Sequence, residues 1–392
     1  MDEFKLNFQD TETAFADKSD SELNEKYRLF RIMNSPVLNE LGTRSAEIAL
    51  SIGLPVSWLI KNTIFEQFCG GETIEECQAT IDRLGNSRIG TILDYSVEGK
   101  FREEDFDRAK DETILNLKRA KNDDDIPFAV FKVTGIAPLG TLEKVTGGEE
   151  LVKESSKTKW GNAQRRVDEI CEYAHSIEQQ VFIDAEETWI QGAIDFLATE
   201  MMKKYNGESP LIFNTVQLYC HDRLQFLKDS HEQAKKDGYK YAVKLVRGAY
   251  MEKERERAEE MGYESPIQPD KAATDRDFDL AVEYCLDNVE EIAFVAGTHN
   301  EESVQSMVQK MEAKGIPHDH PNVFFSQLYG MSDNLSYILA ANDYNVSKYV
   351  PYGPVKDAVP YLIRRARENS SVMGQMSREL DLISKELKRR SS

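Results

Sequence analysis

The stretch RRVDEICEYAHSIEQQVFIDAE (residues 165–186) joins a helical pattern to a short β-rich run in one continuous segment. Its first part has the amphipathic character of a surface helix, and the run QVFIDAE that follows is rich in strand-forming residues. A helix that leads directly into a strand is part of a repeating strand–helix unit. The fold class therefore depends on how often this unit recurs along the chain.

Short β-rich runs recur eight times, separated by amphipathic helical patterns such as residues 107–122 and 303–315. Strict alternation predicts parallel strands with right-handed crossovers, and eight such units close into an α/β fold of the (βα)8 TIM-type barrel class. A doubly wound open sheet is the alternative, but it more often has five or six strands and a glycine-rich first turn. The runs are SRIGTILDY (87–95), FAVFKVTGI (128–136), QVFIDAE (180–186), LIFNTVQLY (211–219), YAVKLVRG (241–248), EIAFVAGT (291–298), VFFSQLYG (323–330) and VSKYVPYG (346–353).

The remaining segments suggest how the chain is organised around these runs. Residues 1–85 have helical patterns and no strand run, so we expect a helical arm there and a barrel catalytic domain over 86–392. The long connections 137–179 and 249–290 each follow a strand. They are therefore expected at the carboxyl-end mouth of the barrel, where such folds place their active sites.

Composition narrows the range of partners and locations. The 392 residues carry a formal net charge of −20, which disfavours nucleic acid or an anionic membrane as the main partner. The five cysteines are scattered and odd in number, and no apolar run reaches membrane-spanning length. The first residues resemble neither a secretory signal nor a transit peptide. From these features we expect a cytoplasmic protein.

Polar residues interrupt the apolar runs near the ends of five strands: Lys132, Asp184, Gln217, Lys244 and the triplet Thr298-His299-Asn300. Each of them could cap a helix or face solvent, and for Asp184 alone helix capping would be favoured. Together they favour one shared site at the barrel mouth. The sequence His318-Asp319-His320 precedes the seventh strand and is interpreted as a turn, so no metal site is expected.

Several long motifs in a consistent order resemble proline dehydrogenases, in particular the monofunctional mitochondrial-type enzymes. They are KLVRGAYMEKER (244–255), ESPIQPDKAATDRDF (264–278), AGTHNEESV (296–304), FFSQLYGMSD (324–333) and KYVPYGPVKDAVPYLIRRARENSS (348–371). The resemblance covers the chain from about residue 68 onward. It implies a distorted eight-stranded barrel with the last helix over its mouth. The implied reaction uses FAD to oxidise L-proline to Δ1-pyrroline-5-carboxylate, the first step of proline catabolism, and passes electrons to a quinone.

The resemblance also implies residues for the substrate. Tyr361, Arg364, Arg365 and Glu368 fall on one helical face, which alone would suit either an ion-pair lattice or an anion site. The family motif makes Arg364 and Arg365 the clamp for the proline carboxylate, a role that suits planar guanidinium groups. Glu98 would pair with Arg364 as a gate. The proline pocket would be lined by Lys132, Asp184, Leu328, Tyr349 and Tyr361, with Lys132 and Asp184 as a buried pair; Lys132, Asp184, Arg364 and Arg365 are the expected catalytic residues.

For the flavin, the resemblance implies a larger set of contacts. Lys244 or Arg247 would place a cation near flavin N1 and C2=O. The bacterial bifunctional relatives have arginine in place of Lys244 and tryptophan in place of Met251. The expected contacts are Ala185, Gln217, Lys244, Val246, Arg247, Gly248, Tyr250, Met251, Thr274, Thr298, His299, Asn300 and Glu368.

Three alternatives stay open: a hydroxyproline dehydrogenase of the same family, a metal-dependent barrel lyase or hydrolase, and a flavin-binding scaffold without turnover. Tyr349 favours proline over hydroxyproline, because the family's hydroxyproline-preferring members have serine there. The C-terminal SRELDLISKELKRR (377–390) could be a helix on the membrane surface, although its length and the acidity of the chain favour a solvated closing helix.

Overall fold

The computed structural model describes residues 4–34, 64–95, 102–358, 361–362 and 375–392. Within these ranges, eight parallel strands close into a barrel in the order of the chain, which confirms the fold predicted from the alternation of strands and helices. The strands are β1 (Ile89–Tyr95), β2 (Phe128–Lys132), β3 (Gln180–Asp184), β4 (Ile212–Gln217), β5 (Tyr241–Val246), β6 (Ile292–Gly297), β7 (Val323–Leu328) and β8 (Val346–Tyr352).

Helices fill the connections between the strands. In the described parts of residues 1–85 there are helices and no strand, while the division into an arm and a barrel at residue 85 stays a prediction. The helices are Thr11–Ala14, Asp20–Met33, Glu66–Phe68, Gln78–Gly85, Glu103–Ala120, Leu139–Thr146, Glu154–Ser176, Thr188–Tyr205, Arg223–Asp237, Met251–Met261, Lys271–Asp287, Glu301–Lys314, Asp333–Ala341 and Gln375–Ser391.

The second strand is shorter than its sequence run suggests. β2 ends at Lys132, and Val133–Gly135 form a short 3-10 turn. The backbone N–H of Thr134 donates to the side chain of Glu186 at 3.0 Å. This carboxylate takes a hydrogen bond that a longer strand would have given to its neighbour, so the strand stops before the end of its apolar run.

The chain forms two compact units, one comprising residues 1–5 and 99–326 and the other residues 6–98 and 327–392. The first unit has an aromatic core inside its strands. The rings of Phe128 and Phe182 stack with centroids 4.4 Å apart, and Phe213 and Phe324 meet Phe128 edge to face. Phe128, Phe213 and Phe324 lie at the amino ends of their strands and Phe182 lies in the middle of β3, so aromatic side chains fill the unit below the polar residues at the carboxyl ends.

The second unit pairs β1 with β8 along their whole length. It also contains a buried ion network. Asp333 accepts from Lys26 at 2.7 Å and from Lys348 at 2.9 Å, while Glu379 accepts the backbone N–H of Ser332. Because Lys26 and Glu379 belong to the helices Asp20–Met33 and Gln375–Ser391, the network joins distant parts of the sequence within this unit.

Candidate active site

The predicted polar residues lie at the carboxyl ends of the strands of the first unit. Lys132, Asp184 and Gln217 are the last residues of β2, β3 and β4, and Thr298 follows the last residue of β6. Lys244 lies two residues before the end of β5. Parallel strands present their carboxyl ends at the same edge, so this placement brings five separate sequence motifs to one end of the unit.

A buried ion pair lies at this end. The Lys244 ammonium donates to Asp184 Oδ1, both side chains are buried, and the ammonium lies 5.1 Å from the centroid of the Phe182 ring. β4 separates the two strands that carry this pair, so both side chains must point inward to meet. The pairing of Asp184 with Lys132 that the sequence suggested stays a prediction. Lys132 is the register neighbour of Asp184 on β2, and the ion pair with Lys244 runs across the interior to β5.

Glu186 is a buried residue that the sequence analysis missed. Only 3% of it is exposed, and its carboxylate accepts from both the N–H and the hydroxyl of Thr134. Burial raises the pKa of Glu186 to about 7, opposed by the hydrogen bonds from Thr134 and the nearby charge of Lys132. Its backbone carbonyl accepts from Gln217 Nε2 at 2.7 Å, which orients one of the residues expected to contact the flavin. The signal in the sequence is a pair of glutamates, Glu186 and Glu187, at the end of the third β-rich run.

Arg247 has its guanidinium held on three sides. Its Nε donates to Asp275 at 2.7 Å, Nη1 to the hydroxyl of Thr298 at 2.7 Å, and Nη2 to the hydroxyl of Ser303 at 2.8 Å. These bonds fix the hydroxyl of Thr298, another expected flavin contact. Asn300 caps the helix Glu301–Lys314 by accepting from two backbone N–H groups, as the simpler interpretation of that residue anticipated.

The connection after β5 passes close to an aromatic ring. Gly248 has a φ of +142°, and a Cβ at this position would lie 2.5 Å from the ring of Tyr219. Only glycine fits such a backbone without displacing the ring. Tyr250 follows as a buried residue, and Met251 begins the next helix with 40% of its surface exposed. Of the other expected flavin contacts, Ala185 and Thr274 are buried, whereas Val246 and His299 are half-buried.

The substrate residues predicted for the second unit are only partly described. Leu328 and Tyr349 are half-buried, Tyr361 is buried, and the N–H of Tyr329 donates to the carbonyl of Tyr349 at 2.9 Å. The remaining predicted residues lie outside the described ranges: Glu98, Arg364, Arg365 and Glu368.

The two histidines of the proline-flanked turn have carboxylate neighbours. His318 contacts Glu312, and His320 lies 3.6 Å from Glu290. In the parts of the chain that the structure describes, no three His, Cys, Asp or Glu side chains are grouped as a metal site would require, and no helix is long and apolar enough to cross a membrane.

Comparison with known proteins gives three informative relatives. The carbapenem antibiotics biosynthesis protein CarD of Pectobacterium carotovorum subsp. carotovorum is 35% identical over 82% of this chain and 83% of its own. Proline dehydrogenase 1, mitochondrial, of Dictyostelium discoideum is 31% identical over 97% of this chain and 74% of its own. The hydroxyproline dehydrogenase of Xenopus laevis is 32% identical over 98% of this chain and 90% of its own.

These names correct the expected location. The Dictyostelium relative is named as mitochondrial, and so are the proline dehydrogenases matched in Homo sapiens and Arabidopsis thaliana. The cytoplasmic assignment was therefore wrong. It rested on cysteine usage and on the character of the first residues, and neither feature separates the cytoplasm from another reducing compartment.

A solved structure and a family model complete the comparison. Proline utilization A from Bdellovibrio bacteriovorus superposes with a TM-score of 0.73 at 19% identity, over 92% of this chain but only 38% of that protein. At this identity the likeness concerns the fold. The model of the family described as proline dehydrogenase matches residues 77–378, which is more than three quarters of the chain. The chain therefore belongs to the proline dehydrogenase family of oxidoreductases.

Proposed function

We propose that the chain oxidises L-proline to Δ1-pyrroline-5-carboxylate with FAD as its cofactor and a quinone as the electron acceptor. The single observation that carries the proposal, beyond family membership, is the buried pair of Lys244 and Asp184 at the carboxyl ends of the strands. Burying two charges costs several kcal/mol of solvation per ion, and apolar residues would stabilise the fold as well or better. A buried pair at the expected active-site end of a barrel is therefore better explained by chemistry than by stability.

The residues around this pair fit a flavin. Lys244 provides a cation whose charge would favour a reduced, anionic isoalloxazine. Gln217 and Thr298 present polar groups held by Glu186 and Arg247. When bound, FAD would supply the hydride acceptor, since side chains alone have no such redox chemistry.

The chain's own residues would bind and orient proline. We propose that Lys132 and Asp184 line its pocket together with Leu328, Tyr349 and Tyr361, and that Arg364 and Arg365 hold its carboxylate, with Glu98 as the partner of Arg364. These assignments are supported by the family motifs. Proline must present the carbon beside its nitrogen to the acceptor with that nitrogen unprotonated, so orientation is the main contribution expected from the protein.

The direct test is the colour of the purified protein and its response to proline. We expect a yellow protein whose flavin absorbance bleaches when L-proline is added without oxygen and returns when a quinone is added. A colourless protein that takes up no FAD would refute the cofactor assignment. A yellow protein that L-proline does not bleach would favour the scaffold without turnover.

Binding of the proline carboxylate by Arg365 is tested separately with the variant Arg365→Met. Loss of a charged hydrogen-bond donor costs about 1.5–3 kcal/mol, so kcat/KM for proline should fall by roughly one to two decades while FAD content stays normal. Arg255→Met on the exposed side of the helix Met251–Met261 is the matched control and should leave kcat/KM unchanged. Equal kinetic constants for wild type and Arg365→Met would remove this residue from the proline site.

Hydroxyproline oxidation is the second candidate function. It is supported by the similarity to the Xenopus laevis protein, which extends over 98% of the chain. Tyr349 argues for proline, because an enclosed 4-hydroxyl group beside its ring would lack a hydrogen-bond partner. The ratio of kcat/KM for L-proline and trans-4-hydroxy-L-proline decides between the two.

A further inference from the structure

Two buried glutamates of the first unit hold a threonine in the same way. Glu186 accepts from the N–H of Thr134 at 3.0 Å and from its hydroxyl. Glu254 accepts from the N–H and the hydroxyl of Thr188, each at 2.6 Å. Glu186 is 3% exposed and Glu254 is fully buried. We refer to Glu186 with Thr134 as the first clamp and to Glu254 with Thr188 as the second clamp.

The first clamp connects the ends of three strands. Thr134 lies two residues after Lys132, in the turn that ends β2, while Glu186 lies two residues after Asp184 on β3. The backbone carbonyl of Glu186 accepts from the side-chain amide of Gln217 on β4. The backbone N–H of Glu186 donates to Gln191 Oε1 at 2.9 Å. One residue therefore fixes the positions of three chain segments that carry expected site residues.

The second clamp attaches the connection after β3 to the helix after β5. Glu254 lies in the first turn of the helix Met251–Met261, and Thr188 begins the helix Thr188–Tyr205. Lys253 reaches Glu187 at 3.0 Å beside it. The helix held in this way begins at Met251, one of the residues that the resemblance assigns to the flavin.

Burying a carboxylate costs solvation free energy, so neither clamp is explained by fold stability alone. Burial raises the pKa of both glutamates, so a negative charge at either position is disfavoured relative to water. Hydrogen bonds to charged acceptors are roughly twice as strong as neutral ones and fix geometry closely. What a buried carboxylate adds at a loop is therefore a defined position for the loop backbone.

We propose that Glu186 and Glu254 are positioning residues that hold the connections after β2, β3 and β5 in their binding geometry before the flavin arrives. The part of this inference that concerns the flavin rests on the proposed function. The part that concerns the order of the loops rests on the two clamps alone. A site whose loops are ordered in advance loses less conformational entropy when its ligand binds.

The test uses the variants Thr134→Val and Thr188→Val. Each removes the threonine hydroxyl but keeps the backbone N–H and the shape of the side chain. Thr113→Val is the control, because Thr113 is also buried but its hydroxyl donates to the carbonyl of Ala109 within a helix. Amide hydrogen exchange is measured on the flavin-free proteins, and the dissociation constant for FAD is then measured by titration.

We expect Thr134→Val to speed exchange by about tenfold or more in residues 133–137, and Thr188→Val to do so in residues 188–190. Each variant should leave the other segment unchanged and weaken FAD binding by a similar factor, whereas Thr113→Val should do neither. Unchanged exchange in both segments, or faster exchange throughout the barrel, would overturn the proposal. Local exchange effects without any FAD binding by the wild type would uphold the ordering of the loops and refute the flavin assignment.

Discussion

Substitutions at Lys244 and Asp184 test whether the two buried charges are coupled in their contributions to the free energy of unfolding. We consider Lys244→Met, Asp184→Asn and the double variant. Each single change removes one member of a buried ion pair, and such changes cost about 3–5 kcal/mol. The double change removes both charges, so its cost should be smaller than the sum of the single costs by about 1–3 kcal/mol.

The pair of Lys253 and Glu187, in which the lysine is exposed and the glutamate is buried, provides the control. Its atoms lie 3.0 Å apart, but the Lys253 side chain is 59% exposed. Water screens such a pair, so the corresponding cycle of Lys253→Met and Glu187→Gln should give a coupling of only about 0.2–1 kcal/mol. The difference between the two cycles isolates the effect of burial, since the paired atoms are in contact in both.

The assay is urea unfolding of the flavin-free variants, followed by circular dichroism. The reasoning fails if either single variant at the buried pair costs less than about 1 kcal/mol, because loss of one member of a buried ion pair should cost several times more. It also fails if the costs of the two single changes simply add. In flavin-loaded protein, Asp184→Asn should also slow reduction by proline; reduction at the wild-type rate would leave the pair with a structural role.

Gly248→Ala should lower the unfolding free energy by about 1–3 kcal/mol and weaken FAD binding, because its new Cβ would overlap the ring of Tyr219. The control Gly135→Ala has nothing within 4 Å of its Cβ, and equal thermal midpoints for the two variants would contradict the argument. Glu186 has a raised pKa of about 7, so its contribution to stability is present below about pH 4.5 and is lost as pH rises through 7. Glu186→Gln should remove that pH dependence, worth about 3 kcal/mol between pH 4.5 and 8 in urea titrations; parallel curves for wild type and variant would count against it. Tyr349→Ser should shift the ratio of kcat/KM from L-proline toward trans-4-hydroxy-L-proline, and an unmoved ratio would rule out Tyr349 as the selector.

The strands were predictable because their apolar runs are short, regular and separated by helical patterns. The start of β2 at Phe128 agrees with its run, but its end at Lys132 does not. That end is set by Thr134 donating to Glu186, a residue 52 positions later in the chain. Local pattern carries no information about such a partner, so the boundary could not be read from the sequence.

The sequence predicted where the candidate site lies in the fold, but it did not predict which side chains contact each other there. Polar residues in strand runs indicated the carboxyl ends, and the structure places Lys132, Asp184 and Lys244 there. The contact between Asp184 and Lys244 depends on which side chains point inward across the barrel, and the sequence leaves that open. Glu254 was missed for a related reason, since it lies in the acidic and basic run MEKERERAEE, typical of a solvated helix, yet it is fully buried.

The ion network of the second unit has a consequence for synthesis of the protein. Lys26 and Glu379 are about 350 residues apart in the chain, and the core around the helix Asp20–Met33 is completed by Leu382 and Ile383. At about 5–20 residues per second, the ribosome needs roughly 20–70 s to make the chain between them. Throughout that interval the helix Asp20–Met33 lacks the part of its core that Leu382 and Ile383 contribute. The nascent chain is therefore expected to need protection from association with other chains until its last helix is made.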